Sequence, residues 1–151
     1  MEVQFRKYTT KDKEGLLEMM DAFYQIDAYA FDRTKAEKNL LDFINDDSLG
    51  RLFLIILEKE LIGYFVFAFS FSFEYKGRTA FIDELYIKDE FRNKRIGKKA
   101  LIFIEEEAVK LDVKAIHLEV ELHNLNAKRL YLKHGFMDNN RALFTKFIKS
   151  I

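Results

Sequence analysis

Arg92-Asn93-Lys94-Arg95-Ile96-Gly97-Lys98-Lys99 places five positive charges within eight residues. An apolar, strand-like run from Phe81 to Ile87 leads into it, and a helical pattern from Ile96 to Leu111 leads out. A strand that feeds a helix through such a turn aims several backbone N–H groups and the positive end of a helix at one point. Phosphate is the ligand this arrangement suits. Gly97 lets a phosphate come close to the backbone. Arg92, Lys94, Arg95, Lys98 and Lys99 can neutralise it through charge-assisted hydrogen bonds. The same residues also read as a solvated basic helix start, and this segment alone does not choose between the two.

A second segment, Asn124 to Phe136, carries Asn124 as a helix N-cap and Tyr131 two turns further along the same face. Gly135 then stops the helix in the left-handed position that favours glycine. Taken alone this is an ordinary capped helix with a packed tyrosine. Carboxylates that could move protons are Asp83, Glu84 and Glu119. Asp83 and Glu84 are neighbours in a strand pattern, so alternation sends them to opposite faces. Each reads equally well as half of a structural ion pair. His117, His123 and His134 show no metal-ligand spacing, so no metal is expected, and no Gly-x-Ser-x-Gly or Walker pattern is present. Tyr24, Asp27, Tyr29, Phe31 and Asp32 lie between the first two helical patterns, where they read as core or loop packing.

The elements that must position these residues follow from periodicity. Val3 to Tyr8 reads as a strand. Thr9-Thr10 offers an N-cap to a helix with Leu16, Leu17, Met19, Met20 and Phe23 on one face. Thr34 and Glu37 fit a capping box for a second helix. Leu52 to Leu57 and Ile62 to Tyr75 read as strands joined by Glu58-Lys59-Glu60. In the longer one Phe65, Phe67, Phe69, Phe71 and Phe73 share a face. Thr79 to Lys88 is a strand, Ile96 to Leu111 a helix, Ala115 to Leu122 a strand, Asn124 to His134 a helix and Phe144 to Ile148 a closing strand. The order is β-αα-β-β-β-α-β-α-β, an α/β (α+β) chain whose β-α-β unit should be a parallel pair with a right-handed crossover.

Composition bounds the remaining possibilities. The chain has 151 residues, 49% of them hydrophobic, with 16 Phe and 7 Tyr, which fits one aromatic-rich domain over 1–151. Lys plus Arg and Asp plus Glu number 25 each, so bulk charge predicts neither a nucleic-acid nor a membrane partner. The basic turn is therefore a local device on an otherwise acidic body. There are no cysteines, which removes disulfides, thiolate metal sites and a Cys nucleophile. The start of the sequence lacks an apolar signal core. The longest apolar run, Leu61 to Phe69, is far shorter than the ~20 residues of a membrane span. A cytoplasmic location is the expectation, and the aromatic-rich strands suggest a possible homodimer.

The two segments together change the reading. Arg92-x-x-Arg95-x-Gly97 after a strand resembles the pyrophosphate-binding motif of the GNAT superfamily of acyl-CoA-dependent N-acetyltransferases. Asn124-x-x-Ala127-x-x-x-Tyr131-x-x-x-Gly135-Phe136 resembles its second CoA motif. The spacing of the motifs and the element order also look like GNAT, over essentially the whole chain. The family pattern is Arg/Gln-x-x-Gly-x-Gly/Ala, so Arg95 stands where its first Gly belongs. Asp89 stands where many relatives have Pro.

The resemblance implies a GNAT-type mixed, twisted sheet flanked by helices. Acetyl-CoA would lie in the gap between strands ending near Ile87 and Leu122. The backbone of Leu85, Tyr86 and Ile87 would hold the pantetheine arm. The N–H groups of Asn93, Lys94, Arg95, Ile96, Gly97 and Lys98, with Arg92 beside them, would hold the pyrophosphate. Asn124 and Ala127 would meet the cofactor arm, and Tyr131 would lie by the thioester sulfur.

The implied chemistry is N-acetylation of a primary amine by direct attack in a ternary complex. An alkyl ammonium, with a pKa near ~10, must first lose a proton. Asp83, Glu84 and Glu119 are the candidate bases. A backbone N–H near Leu85 would steady the oxyanion, and Tyr131 would protonate the departing thiolate. Tyr24, Asp27 and Tyr29 would wall the acceptor site. That acceptor is a small amine, a polyamine-like compound or a lysine or peptide amine. The competing readings are a catalytically silent CoA-binding regulatory module and a nucleic-acid-binding domain.

Overall fold

The computed structural model describes residues 2–150. The chain divides into two compact units, one running through Glu119 and the other beginning at Val120.

The first unit is built on a five-stranded mixed sheet in the order β1-β2-β3-β4-β5. The strands are β1 (Val3–Lys7), β2 (Gly50–Leu57), β3 (Glu60–Ser72), β4 (Gly77–Ile87) and β5 (Ala115–Leu118). Neighbours from β1 to β4 are antiparallel, and β4 and β5 are parallel. Helices α1 (Lys13–Ile26) and α2 (Arg33–Ile44) follow β1, and α3 (Ile96–Lys110) links β4 to β5. The element order agrees with the sequence pattern through this unit, in a mixed α/β arrangement with helices on both faces.

Each face has its own apolar partner. Leu16 and Met19 of α1 and Leu40 of α2 pack with Leu52, Leu54, Tyr64, Val66 and Tyr86. On the opposite face Phe103 of α3 stacks on Phe5, with ring centroids 4.6 Å apart, and meets Phe53 edge-on at 5.0 Å. Ile96, Ala100, Ile104 and Ala108, the i, i+4 series of α3, are all buried. The phenylalanine ladder of β3 forms as the period of 2 requires, with Phe65, Phe67 and Phe69 in successive contact. Only Phe65 and Phe67 join the core. β3 ends at Ser72, so Phe73 lies beyond it and is 93% exposed.

The β2–β3 hairpin turns on Glu58 and Lys59, both with positive φ (50° and 70°). This is the pair of left-handed residues that a two-residue hairpin of the right twist demands. At Gly63 of β3 a Cβ would stand 2.3 Å from the carbonyl oxygen of Tyr86. Only glycine lets β3 and β4 approach so closely there.

Two departures from the sequence pattern have local causes. α2 starts two residues earlier than a Thr34 cap allows, because Asp32 takes the capping position and its Oδ1 accepts from the Lys35 N–H at 3.1 Å. The box of Thr34 and Glu37 therefore does not form. Glu37 instead accepts from Arg33 Nε at 3.3 Å. A capping box does form upstream, where the Thr9 N–H donates to Asp12 Oδ2 at 2.9 Å across the single 3₁₀ turn Thr10–Asp12.

β5 stops at Leu118 rather than Leu122, since its register with β4 spans only Thr79 to Ile82. β4 bends immediately afterwards. Val66 pairs with Glu84 and Phe67 with Ile82, which leaves Asp83 as the extra residue of a β-bulge.

The second unit holds α4 (Leu125–Lys133), capped by Asn124, whose Oδ1 accepts from the Ala127 N–H at 3.1 Å. Its C-terminal end is a Schellman motif. The Phe136 N–H reaches the Tyr131 carbonyl at 3.1 Å, and the Gly135 N–H reaches Leu132 at 3.3 Å. Gly135 supplies the φ of 88° that this requires. Residues 144–148 carry no strand. β propensity alone does not make one, because a strand's hydrogen bonds must lie with a neighbour.

Candidate active site

The basic turn is built by backbone geometry before charge. A 3₁₀ turn, Asp89–Phe91, carries the chain out of β4. Asn93 and Arg95 then take left-handed φ values of 60° and 64°. The step from left-handed Arg95 into the right-handed start of α3 points successive N–H groups to one side, as an anion nest does. α3 follows at once. Its N-cap, Arg95, offers no side-chain oxygen to the N–H groups of the first turn. Those donors, from Ile96, Gly97 and Lys98, have no carbonyl within the helix to meet. The first helical bond runs from the Lys99 N–H to the Arg95 carbonyl at 3.2 Å.

Arg92 has a structural duty that the sequence did not reveal. Its Nε donates to the Ile87 carbonyl at 2.9 Å, and its NH1 meets Asp89 Oδ1 at 3.2 Å. Its guanidinium carbon also lies 5.7 Å from the centre of the Tyr86 ring. Arg92 thus ties the end of β4 to the start of the turn. Lys94 lies over Phe91, its Nζ 5.5 Å from the ring centre. Arg95 and Lys98 are exposed on the turn and the first turn of α3.

Leu85, Tyr86 and Ile87 pair with Phe65, Tyr64 and Gly63 on the β3 side. On the β5 side the ladder ended at Ile82. The strand end that leads into the basic turn therefore carries an edge without a ladder partner among the described residues. Such an edge can take an extended chain as an added strand.

A cavity of about 110 Å³ opens where the two parallel strands part, lined by Phe81, Ile82, Asp83 and Glu119. It brings two of the three candidate carboxylates together. Asp83 reaches it because the bulge re-aims the strand at that residue. Desolvation raises the Asp83 carboxyl above its ordinary range even though the residue retains contact with solvent.

Glu84 is placed differently. Its Oε1 accepts from the Tyr64 hydroxyl at 2.8 Å, and its Oε2 accepts from the Tyr24 hydroxyl at 2.9 Å. Burial raises its pKa, the two phenol donors oppose that rise, and the neighbouring Asp83 adds to it. Burial and the adjacent carboxylate push both phenols up, so they remain protonated donors. Tyr24, expected on the acceptor wall, thus touches a candidate acid–base group directly. Tyr64 is a member of this cluster that sequence reasoning missed. It reaches Glu84 through the β3–β4 register, in which it pairs with Tyr86, and no local sequence pattern signals this. Asp27 caps the end of α1, and the Tyr29 N–H donates to the Tyr24 carbonyl at 2.9 Å, folding the loop after α1 back on that helix.

In the second unit, Tyr131 occupies the third position from the end of α4, and its ring meets Phe136 edge-on at 5.7 Å. This apolar contact commonly accompanies the Schellman bonds. The Gly135-Phe136 pair therefore fixes Tyr131 as well as ending the helix. Burial raises the Tyr131 hydroxyl above its usual pKa.

Comparison with known proteins places this geometry. The sequence model of the Acetyltransferase (GNAT) family matches residues 16–136. Thialysine N-epsilon-acetyltransferase of Bos taurus is 32% identical over 82 residues, 54% of this chain and 48% of that protein. The match thus spans about half the length of the curated relative. An integron cassette protein from the mobile metagenome of Cole Harbour Salt Marsh superposes with a TM-score of 0.86 at 27% identity, covering 98% of this chain and 92% of that one. A predicted acetyltransferase of Clostridium acetobutylicum, solved with acetyl-CoA, shares the fold with a TM-score of 0.80 at 18% identity over 96% of each chain.

Proposed function

Because the chain belongs to the acetyltransferase (GNAT) family, we propose that it transfers an acetyl group from acetyl-CoA to a primary amine by direct attack. The observation that carries this reading is the end of β4, which pairs with β3 but has no ladder partner on its β5 side among the described residues and runs straight into the basic turn with its left-handed Asn93 and Arg95. The residues fit the donor. Backbone N–H groups from Asn93 to Lys98 would receive the pyrophosphate, with Lys94, Arg95 and Lys98 supplying charge around it. Leu85, Tyr86 and Ile87 would hold the pantetheine arm, and Asn124 and Ala127 would meet it from the second motif. Acetyl-CoA supplies the activated acyl group, and the rest of the work falls to the protein.

Asp83 is the proposed general base. It lines the cavity at the strand divergence, and its raised pKa makes it a stronger proton acceptor. Acting through water, it takes the proton that the ammonium must lose. The amine nitrogen then forms the new bond to the carbonyl carbon, and the carbon–sulfur bond breaks. Glu119, on the same cavity, would add negative charge that draws the cationic amine toward Asp83. Tyr131 is the proposed donor to the leaving thiolate, and its raised pKa keeps it protonated until that step. The bovine relative's name specifies a side-chain amine as its acceptor, which favours an alkyl amine here.

The test is Asp83→Asn. The wild type should gain activity as pH rises through the raised Asp83 pKa, and the variant should lose that limb and about 10²-fold or more in kcat. An unchanged pH profile would remove Asp83 as the base. Acetyl-CoA binding without thiol release for any amine would mark a silent CoA-binding module instead.

A further inference from the structure

Glu84 is a partly buried carboxylate that the proposed proton transfers do not use. Among the described residues it enters no ion pair with Lys, Arg or His. The groups that act on its charge are Tyr64, Tyr24 and Asp83, and none of them is positive. Asp83 beside it has no ion-pair partner there either. Other carboxylates of the first unit do have a cation at hand, as Asp12 has Arg6 and Glu14 has Arg33. Withdrawing a carboxylate from water is costly unless a charge compensates it. Two phenol hydroxyls fix its orientation and satisfy two of its roughly four acceptor positions, but they leave the net charge in place.

The surroundings favour an organic cation. Tyr24 meets Phe31 edge-on at 5.3 Å, and Phe23 lies 5.7 Å from Tyr86, which in turn is 6.0 Å from Tyr64. Glu84 is thus set in a network of five aromatic rings, whose faces attract alkylammonium groups. Among the described residues no group of three or more His, Cys, Asp or Glu side chains is arranged to hold a metal ion. The cluster also carries the acceptor wall with it, because Tyr24 anchors the loop after α1 through its carbonyl.

We propose that Glu84, oriented by Tyr24 and Tyr64, is a specificity determinant that seats a second positive charge on the acceptor, so that the preferred substrates are diamines or other dicationic amines. The inference rests on the acetyltransferase reading for its substrate, but its binding component can be tested without turnover. Asp83 takes the proton from the reacting nitrogen, and Glu84 holds the far ammonium.

The experiment compares 1,4-diaminobutane with n-butylamine, on the full chain, for wild type and Glu84→Gln. Thiol release from acetyl-CoA gives kcat/KM, calorimetry gives diamine binding, and a melting curve confirms that the isosteric variant folds. The wild type should prefer the diamine by about tenfold or more, equivalent to about 1.4 kcal/mol of discrimination. Glu84→Gln should erase most of that preference through a higher KM for the diamine, and should weaken diamine binding by a similar factor. Tyr24→Phe, which removes one orienting donor, should move the preference in the same direction by less. A wild type without preference, or a preference and diamine affinity that survive Glu84→Gln, would overturn the inference. A collapse of kcat for both amines alike would also overturn it, by making Glu84 a base. Failure of the acetyltransferase reading would look different, as absence of acetyl-CoA binding and of thiol release with either amine. Diamine binding by wild type and variant would still decide the role of Glu84.

Discussion

Replacing Arg95 with glycine should make the protein more stable. Arg95 precedes α3 with φ 64° and ψ 14°, in the left-handed region. A side chain there costs about 1–2 kcal/mol. Glycine removes that cost but gives back about 0.4–1 kcal/mol through the greater freedom of its unfolded chain. The Arg95 side chain is exposed and caps nothing, so its loss forfeits little packing. The net gain is about 0.5–1 kcal/mol, or about 2 °C in melting temperature for a chain of this size. Arg95→Ala is the control, since it removes the same charge and keeps the Cβ. Thermal and urea unfolding of the three ligand-free proteins reads the backbone effect as the difference between Gly and Ala. Calorimetry with acetyl-CoA reads the charge effect, which should weaken binding to a similar extent in both variants. An Arg95→Gly protein that melts at or below Arg95→Ala would refute the reasoning. It would mean that the turn does not impose a left-handed residue, and the nest of N–H groups built on it would fall too.

Gly63→Ala should destabilise by about 1–3 kcal/mol, because its Cβ would meet the Tyr86 carbonyl at 2.3 Å and force β4 to move. Unfolding curves measure that loss, and acetyl-CoA affinity should fall with it, since the moved segment is the proposed pantetheine edge. Arg6 holds the Asp12 carboxyl at about 2 through two hydrogen bonds. A depressed carboxylate stabilises the fold above its unfolded pKa and ceases to do so as pH falls through its folded pKa. Arg6→Ala should therefore cost about 1 kcal/mol at pH 7, discounted for the half-exposed arginine, with the difference vanishing between about pH 4 and pH 2. Denaturant titrations across that range check it. Tyr131→Phe should lower kcat about 10²-fold with little change in acetyl-CoA affinity. Unchanged turnover would remove Tyr131 as the proton donor.

Much of the fold was legible because its signals are local. The period of 2 in β3, the i, i+4 series of α3, the Asn124 cap and the Gly135 stop each depend on a few adjacent residues. The basic turn was visible for the same reason, and so was the family resemblance. What was hidden depends on register between distant segments. No local pattern shows that Asp83 is the extra residue of a bulge, because the bulge exists only in the pairing of β4 with β3. Nor does the sequence show that Tyr24 and Tyr64, 60 and 20 residues away, converge on Glu84. The strict alternation that would send Asp83 and Glu84 to opposite faces does not hold across the bulge, where Ile82 pairs with Phe67 and Glu84 with Val66. The start of α2 was missed because Asp32 and Thr34 are both good caps, and the competition between them is decided by how the loop after α1 packs.

The central claim is that this chain moves an acetyl group from acetyl-CoA to an amine. The most direct measurement incubates the full chain with acetyl-CoA and 1,4-diaminobutane, and follows free thiol and N-acetylated amine together. The account predicts that both accumulate in equal amounts, at a rate proportional to enzyme and rising with pH through the Asp83 titration. Absence of thiol release with this amine and with a panel of alkyl, lysine and peptide amines, under conditions where acetyl-CoA binds, would contradict it.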